Sequence, residues 1–321
     1  MAHKFIKEIE PGQTINDIYI VKEPILRSTS KGDFYLAMYL GDKTGQLNSR
    51  MWQASEAIYQ SLPKPSGFVY VQGRSEIYQN NLQIVVNNIT TVAADKVNLD
   101  DYLPRTDKDI EKLFAEIKEI LGKVKNAQIK ALVSEFLSDK QLMEKFKKAP
   151  AAAKLHHSII GGLIEHTNTM LKVALAILPF YPKVQPDVVL AGAFLHDIGK
   201  TEELTYDIGF TYTDAGQLLG HLAQGLLLLR QKAQNAAAKG VVIDQPILDS
   251  IGHIILSHHG QYEFGSPKLP ATAEAFMVNY IDDLDAKIYQ VSSVAESEGG
   301  DSNWTGWNKS LETRIYKKRI E

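Results

Sequence analysis

Cysteine is absent from the 321 residues. Disulfides, thiolate metal sites and cysteine nucleophiles are thereby excluded together. Any metal must be held by histidine and carboxylate. Strong net charge is also missing, at −3. A nucleic-acid surface would have to be a local patch rather than a global field. No apolar run is long enough to span a membrane, and the start, "MAHKFIKEIEPGQ", lacks a signal-peptide core. A cytoplasmic protein without membrane contact is expected. Hydrophobic residues at 44% and charged residues at 23% suit a globular chain of about two domains.

Histidine is unevenly placed. Of the nine, eight lie between His156 and His259, and His3 stands apart. One part of the chain carries titratable chemistry and the other does not.

Residues 1–98 read as β structure. In "FYLAMYL", Phe34, Leu36, Met38 and Leu40 alternate with Tyr35, Ala37 and Tyr39, a period of two. "GDKTG" is a turn, and "QLNSRMW" is the partner strand. "GFVYVQGRSEIY" and "LQIVVNNI" follow, with a turn at Asn80-Asn81. Five short strands suit a small closed barrel. The stretch Phe34–Trp52 resembles the hairpin of OB-folds that bind single-stranded nucleic acid through stacking aromatics and basic side chains. The candidates are Tyr35, Tyr39, Arg50, Trp52, Arg74 and Tyr78. The competing role for such aromatics is to cover the barrel.

"NLDDYLPRT" reads as a linker. Beyond it the period becomes helical. In "DKDIEKLFAEIKEIL", Asp107 is expected to cap, and Ile110, Leu113, Phe114, Ile117, Ile120 and Leu121 form one stripe. Further helices are expected at 158–178, 186–197, 214–238, 244–258 and 271–295. Residues 99–321 thus form an all-α domain with its catalytic part near 150–295. The end of the chain is basic, with Arg314, Lys317, Lys318 and Arg319, and reads as a solvated segment.

Within the helical part, polar residues interrupt apolar stretches. His166 follows "GGLIE", and His196-Asp197 closes "VVLAGAFL". His221 lies in "LLGHLAQGLLLL", His258-His259 follow "IGHIIL", and Asp282 lies in "FMVNYIDDLDAKI". A buried imidazole or carboxylate is costly without a partner. One such residue is ordinarily a hydrogen-bonded core histidine. The same event on five helices points instead to a shared metal site, because divalent transition metals take this mixture of imidazole and carboxylate. His253 precedes His258 by five positions, faces elsewhere, and is read as structural.

The ordered set "HHSIIGGLIEHT", "FLHDIGKTEEL", "GQLLGH", "SHHGQYEFGSP" and "YIDDLDAK" resembles the HD-domain metal-dependent phosphohydrolases, in particular the YhaM-type subgroup. The resemblance spans nearly the whole chain. It implies an N-terminal OB-fold joined to an HD domain. The implied activity is 3′→5′ exonuclease action on single-stranded RNA, and in some members on single-stranded DNA. It also implies His166, His196, Asp197 and Asp282 as the core ligands, with Asp197 the bridging carboxylate. His221, His258 and His259 match the further ligands of two-metal members. Asp285, one turn past Asp282, could orient a ligand, and Asp283 is expected in solvent. Lys200 would meet a phosphate oxygen. His157 would reach the rim as a substrate contact or proton donor if its segment stays helical past Gly161-Gly162. One or two divalent metals are implied, manganese in first place, with cobalt, iron, zinc or nickel as substitutes. The partner would be single-stranded nucleic acid, with oligomerisation left open. Two other functions compete: hydrolysis of a small nucleotide, or single-strand binding without catalysis.

Overall fold

The computed structural model describes residues 3–30, 32–64, 66–152, 159–205, 211–297 and 302–318. The chain divides into two compact units: the first runs to Arg105 and also takes in Thr205, and the second comprises Thr106–Leu204 and the chain from Thr211 onward.

The first unit is a closed barrel of β1 (Thr14–Ser28), β2 (Phe34–Asp42), β3 (Gly45–Met51), β4 (Ser66–Tyr78) and β5 (Asn81–Thr91), in the order β1-β2-β3-β5-β4. β1 also pairs with β4, which closes the sheet, and β3 meets β5 in parallel. This is the expected OB-fold. A short helix, α1 (Glu56–Ser61), follows β3. The alternation along β2 sends Leu36, Met38 and Leu40 inward, where they are buried with Tyr19, Val71 and Ile84. The segment read as a linker is part of this unit. Tyr102 and Leu103 are buried, and the Lys43 N–H donates to Asp101 O. The two apolar side chains outweigh the polar turn signal around them, so the boundary falls after Arg105 instead of at 98.

The second unit is helical: α2 (Ile110–Leu121), α3 (Ala127–Leu137), α4 (Lys140–Lys148), α5 (Gly162–Ile177), α6 (Pro186–Leu195), α7 (Lys200–Glu203), α8 (Asp214–Ala238), α9 (Gln245–Ser257) and α10 (Ala273–Ser297). α2 is capped by Asp109, whose carboxylate accepts from the Glu111 and Lys112 N–H groups; Asp107 lies two residues too early. α6 is apolar on all sides and therefore central. It packs against α5, α9 and α10, with Phe194 edge-on to Phe136 and Phe146. Burying such a ring stabilises the fold by about 2–3 kcal/mol.

Two elements differ from the periodic expectation. α5 begins only at Gly162, because Gly161 has φ +77°. α8 is broken at Gly220, with φ 69° and ψ 162°, a conformation that glycine adopts without the Cβ penalty. His221 therefore opens the second half of α8.

Candidate metal centre and strand-binding face

His196 and His258 each stand one residue past the end of an apolar helix, α6 and α9. The last carbonyls of a helix lack intrahelical donors. His196 Nδ1 donates to Ala193 O at 2.9 Å, and His258 Nδ1 donates to Ile255 O at 2.9 Å. Both acceptors lie three residues back, so each helix end orients its own histidine. The other three imidazoles are held from farther away. His166 Nδ1 donates to Asp285 Oδ2 at 2.6 Å, His221 Nδ1 to Glu203 Oε1 at 3.0 Å, and His259 Nδ1 to Phe264 O at 2.9 Å.

An oxygen acceptor on Nδ1 places the proton there and leaves Nε2 to face the interior. All five Nε2 atoms converge. His166 and His196 face each other at 3.2 Å, as do His221 and His259. Asp197 lies between them. Its Oδ2 is 3.3 Å from His196 Nε2, and its Oδ1 is 3.5 Å from His221 Nε2 and 3.4 Å from His258 Nε2. Asp282 Oδ1 is 3.2 Å from His166 Nε2.

These donors form overlapping groups whose ligand atoms lie within 4.8 Å of one another. One is Asp197, His221, His258 and His259; a second is His166, His196 and Asp197; a third is His196, His258 and Asp282. Asp197 belongs to two of them. Facing nitrogen lone pairs repel unless an electrophile lies between them. Asp197 Oδ1 is buried and accepts no hydrogen bond. Both features fit a divalent transition metal, for which neutral imidazole and carboxylate are the ordinary donors.

The electrostatics follow. Burial pulls the His166 imidazole down, but the carboxylates of Asp282 and Asp285 outweigh it and raise its pKa to about 9. A proton there occupies the position that a cation would take. Burial lowers His258, and lowers His259 to about 3 with help from neighbouring His258 and His221. Burial thus favours the neutral form of both imidazoles, the form able to offer a lone pair to a metal. Burial opposes the ionisation of Asp197, yet Lys200 and His196 hold its carboxyl well below the usual range. Asp282 is lowered in the same way, against its burial, by His166 and His196.

Lys200 is buried, and its Nζ donates to Asp197 Oδ2 at 2.6 Å and to Ala151 O. Asp283 pairs with Lys287 at 2.7 Å on the exposed side of α10. His253 lies off the site, its Nε2 accepting from the Ala271 N–H at 2.9 Å. His157 lies outside the described residues. Glu203 was missed by sequence reasoning. It sits in "TEEL" with no periodic signal, and only the fold carries it to His221.

Residues 163–287 match the HD domain family. The chain is 33% identical over 291 residues to the protein named 3′-5′ exoribonuclease YhaM of Bacillus subtilis (strain 168), covering 89% of each chain. The chain belongs to the YhaM family. The protein of the same name from Geobacillus sp. (strain WCH70) is 32% identical over 321 residues, 99% of this chain and 95% of that one. Among solved structures, the second OB-fold domain of replication protein A from Methanococcus maripaludis is 19% identical, with a TM-score of 0.23, over 31% of this chain and all of that one. The family places this chain among HD-superfamily hydrolases.

In the barrel unit, the six candidate side chains share the outer face. Tyr35 and Tyr39 point away from the buried Leu36, Met38 and Leu40. Arg50 lies opposite Ala37, and both Arg50 and Arg74 pair with Val85, so the outward row continues across β3, β5 and β4. Tyr35 and Trp52 have ring centroids 5.3 Å apart. The Arg50 guanidinium lies 5.4 Å from the Trp52 ring and 5.2 Å from the Tyr78 ring. Arg27, opposite Tyr35 on β1, extends this face. Its alternation with Leu26, which lies opposite the buried Leu36, is the local signal for that orientation.

Proposed function

We propose that the chain is a 3′→5′ exonuclease acting on single-stranded RNA, and on single-stranded DNA where the sugar is tolerated. The observation that carries this reading is the sharing of Asp197 between two groups of imidazoles, each turned inward by an oxygen on Nδ1. His166, His196, Asp197 and Asp282 would hold one divalent metal, and His221, His258, His259 and Asp197 a second. Such ions supply Lewis-acid charge to phosphate oxygens and acidify water. The nitrogen-rich donors favour a divalent transition metal over magnesium; manganese is put first on the family resemblance alone, with cobalt, iron, zinc and nickel as substitutes.

The residues around the ions set the charge balance. Asp197 and Asp282 would face the ions directly, and Asp285 and Glu203 stand behind His166 and His221, so four carboxylates match the charge of two divalent ions. The ammonium of Lys200 is the positive charge left over, and it would attract a phosphodiester anion. We assign Lys200 two tasks: keeping Asp197 ionised and meeting a phosphate oxygen. The barrel face would hold the strand by stacking and backbone contacts that tolerate any sequence. The absence of cysteine, together with the resemblance to bacterial relatives, favours the cytoplasm.

A time course on 5′-labelled single-stranded RNA with added manganese tests this. A ladder shortening from the 3′ end supports it. Hydrolysis of mononucleotides alone would move the site to a small phosphorylated substrate, and bound metal with no turnover would leave a binding module.

A further inference from the structure

The basic end of the chain, expected to be a solvated segment, is built into a ribbon. Trp304 pairs antiparallel with Tyr316, and Asn308 with Thr313. The ladder is closed by Thr305 N–H to Ile315 O at 2.9 Å and Lys317 N–H to Asn303 O at 2.8 Å. Side chains alternate along it. Thr305 and Ile315 turn inward and are buried. Arg314, Tyr316 and Lys318 turn outward and are exposed, as is Trp304 opposite Tyr316. The Trp304 and Tyr316 ring centroids lie 5.1 Å apart.

The two rings cover each other as a cross-strand pair, yet Trp304 and Tyr316 still leave 53% and 47% of their surface to solvent. All three tryptophans of the chain are exposed: Trp52 at 43%, Trp304 at 53% and Trp307 at 66%. The barrel face combines Tyr35 and Trp52 at 5.3 Å with Arg50. The ribbon combines Tyr316 and Trp304 at 5.1 Å with Arg314 and Lys318 on the same side. Residues 302–318 hold four cations and one acid, in a chain whose net charge is −3. Cation, aromatic and cation in alternation is the pattern that takes a polyanion with stacking bases.

The ribbon is joined to α10 by the Gln290 side chain, which donates to Ser310 Oγ. Gln290 lies eight residues past Asp282 on α10, about 12 Å along the helix axis. The ribbon and the metal centre therefore share one helix of the second unit.

We propose that the face formed by Trp304, Arg314, Tyr316 and Lys318 is a second contact for single-stranded nucleic acid, built into the catalytic unit itself. The aromatic pair stacks bases, and Arg314 and Lys318 meet phosphates. It rests on the exonuclease reading above only for the identity of the strand. The site would hold nucleotides a short distance from the cleaved bond and keep the shortened strand engaged between cuts.

Binding of a labelled, phosphorothioate-linked oligouridylate to the full-length protein tests this. Trp304→Ala and Tyr316→Ala should each weaken binding about 10- to 100-fold. Trp304→Phe and Tyr316→Phe, which keep a ring, should bind nearly as the natural protein does. Arg314→Gln with Lys318→Gln should reduce the slope of log affinity against log salt by about 1.4, the value for two phosphate contacts on a single strand. In a Trp52→Phe, Trp307→Phe background, the strand should quench the remaining emission from Trp304. Unchanged affinity and salt slope in the Ala and Gln variants, while the natural protein binds, would overturn the ribbon as a contact. An unmodified strand left intact by a protein that still binds through the ribbon would overturn the exonuclease reading and spare this one.

Discussion

Glu203 Oε1 lies 3.0 Å from the backbone nitrogen of His221 and 3.0 Å from its Nδ1. One carboxylate oxygen thus caps the second half of α8, restarted after the break at Gly220, and also sets the imidazole tautomer. Glu203→Ala removes both contacts. The expected result is a 10- to 100-fold loss of metal affinity at the His221 group, with the His166 group retained. Titration of the metal-free protein by calorimetry should show one of two binding steps weakened, and Glu203→Gln should restore part of it.

Asp197→Asn should abolish hydrolysis and leave strand binding largely intact. The amide keeps an oxygen for the Lys200 ammonium, which Asp197 Oδ2 now holds at 2.6 Å. Alanine there would strand a buried charge and cost on the order of 3–5 kcal/mol. The check is RNA cleavage beside fluorescence anisotropy on the same preparation. An Asn variant that keeps its cleavage rate would refute the metal mechanism.

Gly199 has no room for a side chain. A Cβ there would come within 2.0 Å of His221 O and 2.7 Å of Gly225 N. Both are backbone atoms that cannot rotate away. Gly199→Ala should lower stability by about 1–3 kcal/mol or more and push His221 out of register. Thermal melting and metal content measured together would show both losses.

On the barrel face, Trp52→Ala removes a ring that stacks near Tyr35 and lies beneath the Arg50 guanidinium. Affinity for single-stranded RNA should fall by about 10-fold, the lower part of the range for one base–aromatic stack. Melting temperature should hold, because Trp52 is exposed. Undiminished affinity would assign the ring to covering the barrel.

Burial lowers the pKa of His253 below its ordinary value of 6.5, and its neutral Nε2 accepts the Ala271 N–H. The unfolded chain takes up a proton near pH 6.5 and the folded one resists it. This contribution is therefore fully present above about pH 6.5 and is lost as pH falls toward the folded pKa. The drop in urea midpoint between pH 7.5 and 5.5 should be larger in the natural protein than in His253→Gln, where an uncharged amide oxygen can accept in place of the ring.

Much of the molecule was legible because its signals are local. The alternation in β2 decided which face of the barrel holds Tyr35 and Tyr39. The apolar runs ending in "HD" and "HH" marked helices whose C-terminal carbonyls orient His196 and His258. Those contacts span three residues, so short-range sequence carries them. Asp285 was within reach for the same reason, being one helical turn past Asp282. The linker and cap expectations failed where one or two competing residues decided the outcome. Tyr102 and Leu103 found burial, and Asp109 stood at the right offset to cap α2.

The sequence by itself narrowed the class of chemistry: with no cysteine, and with imidazoles and carboxylates set at the ends or faces of five apolar helices, each needing a partner, it pointed to a nitrogen-rich metal centre. Only the tertiary structure decided how those residues divide. That Asp197 touches both groups, that Glu203 serves His221 across 18 residues and that Asp285 serves His166 across 119 are contacts between separate elements. Periodicity records which face a residue takes, whereas packing of one helix on another decides what that face meets.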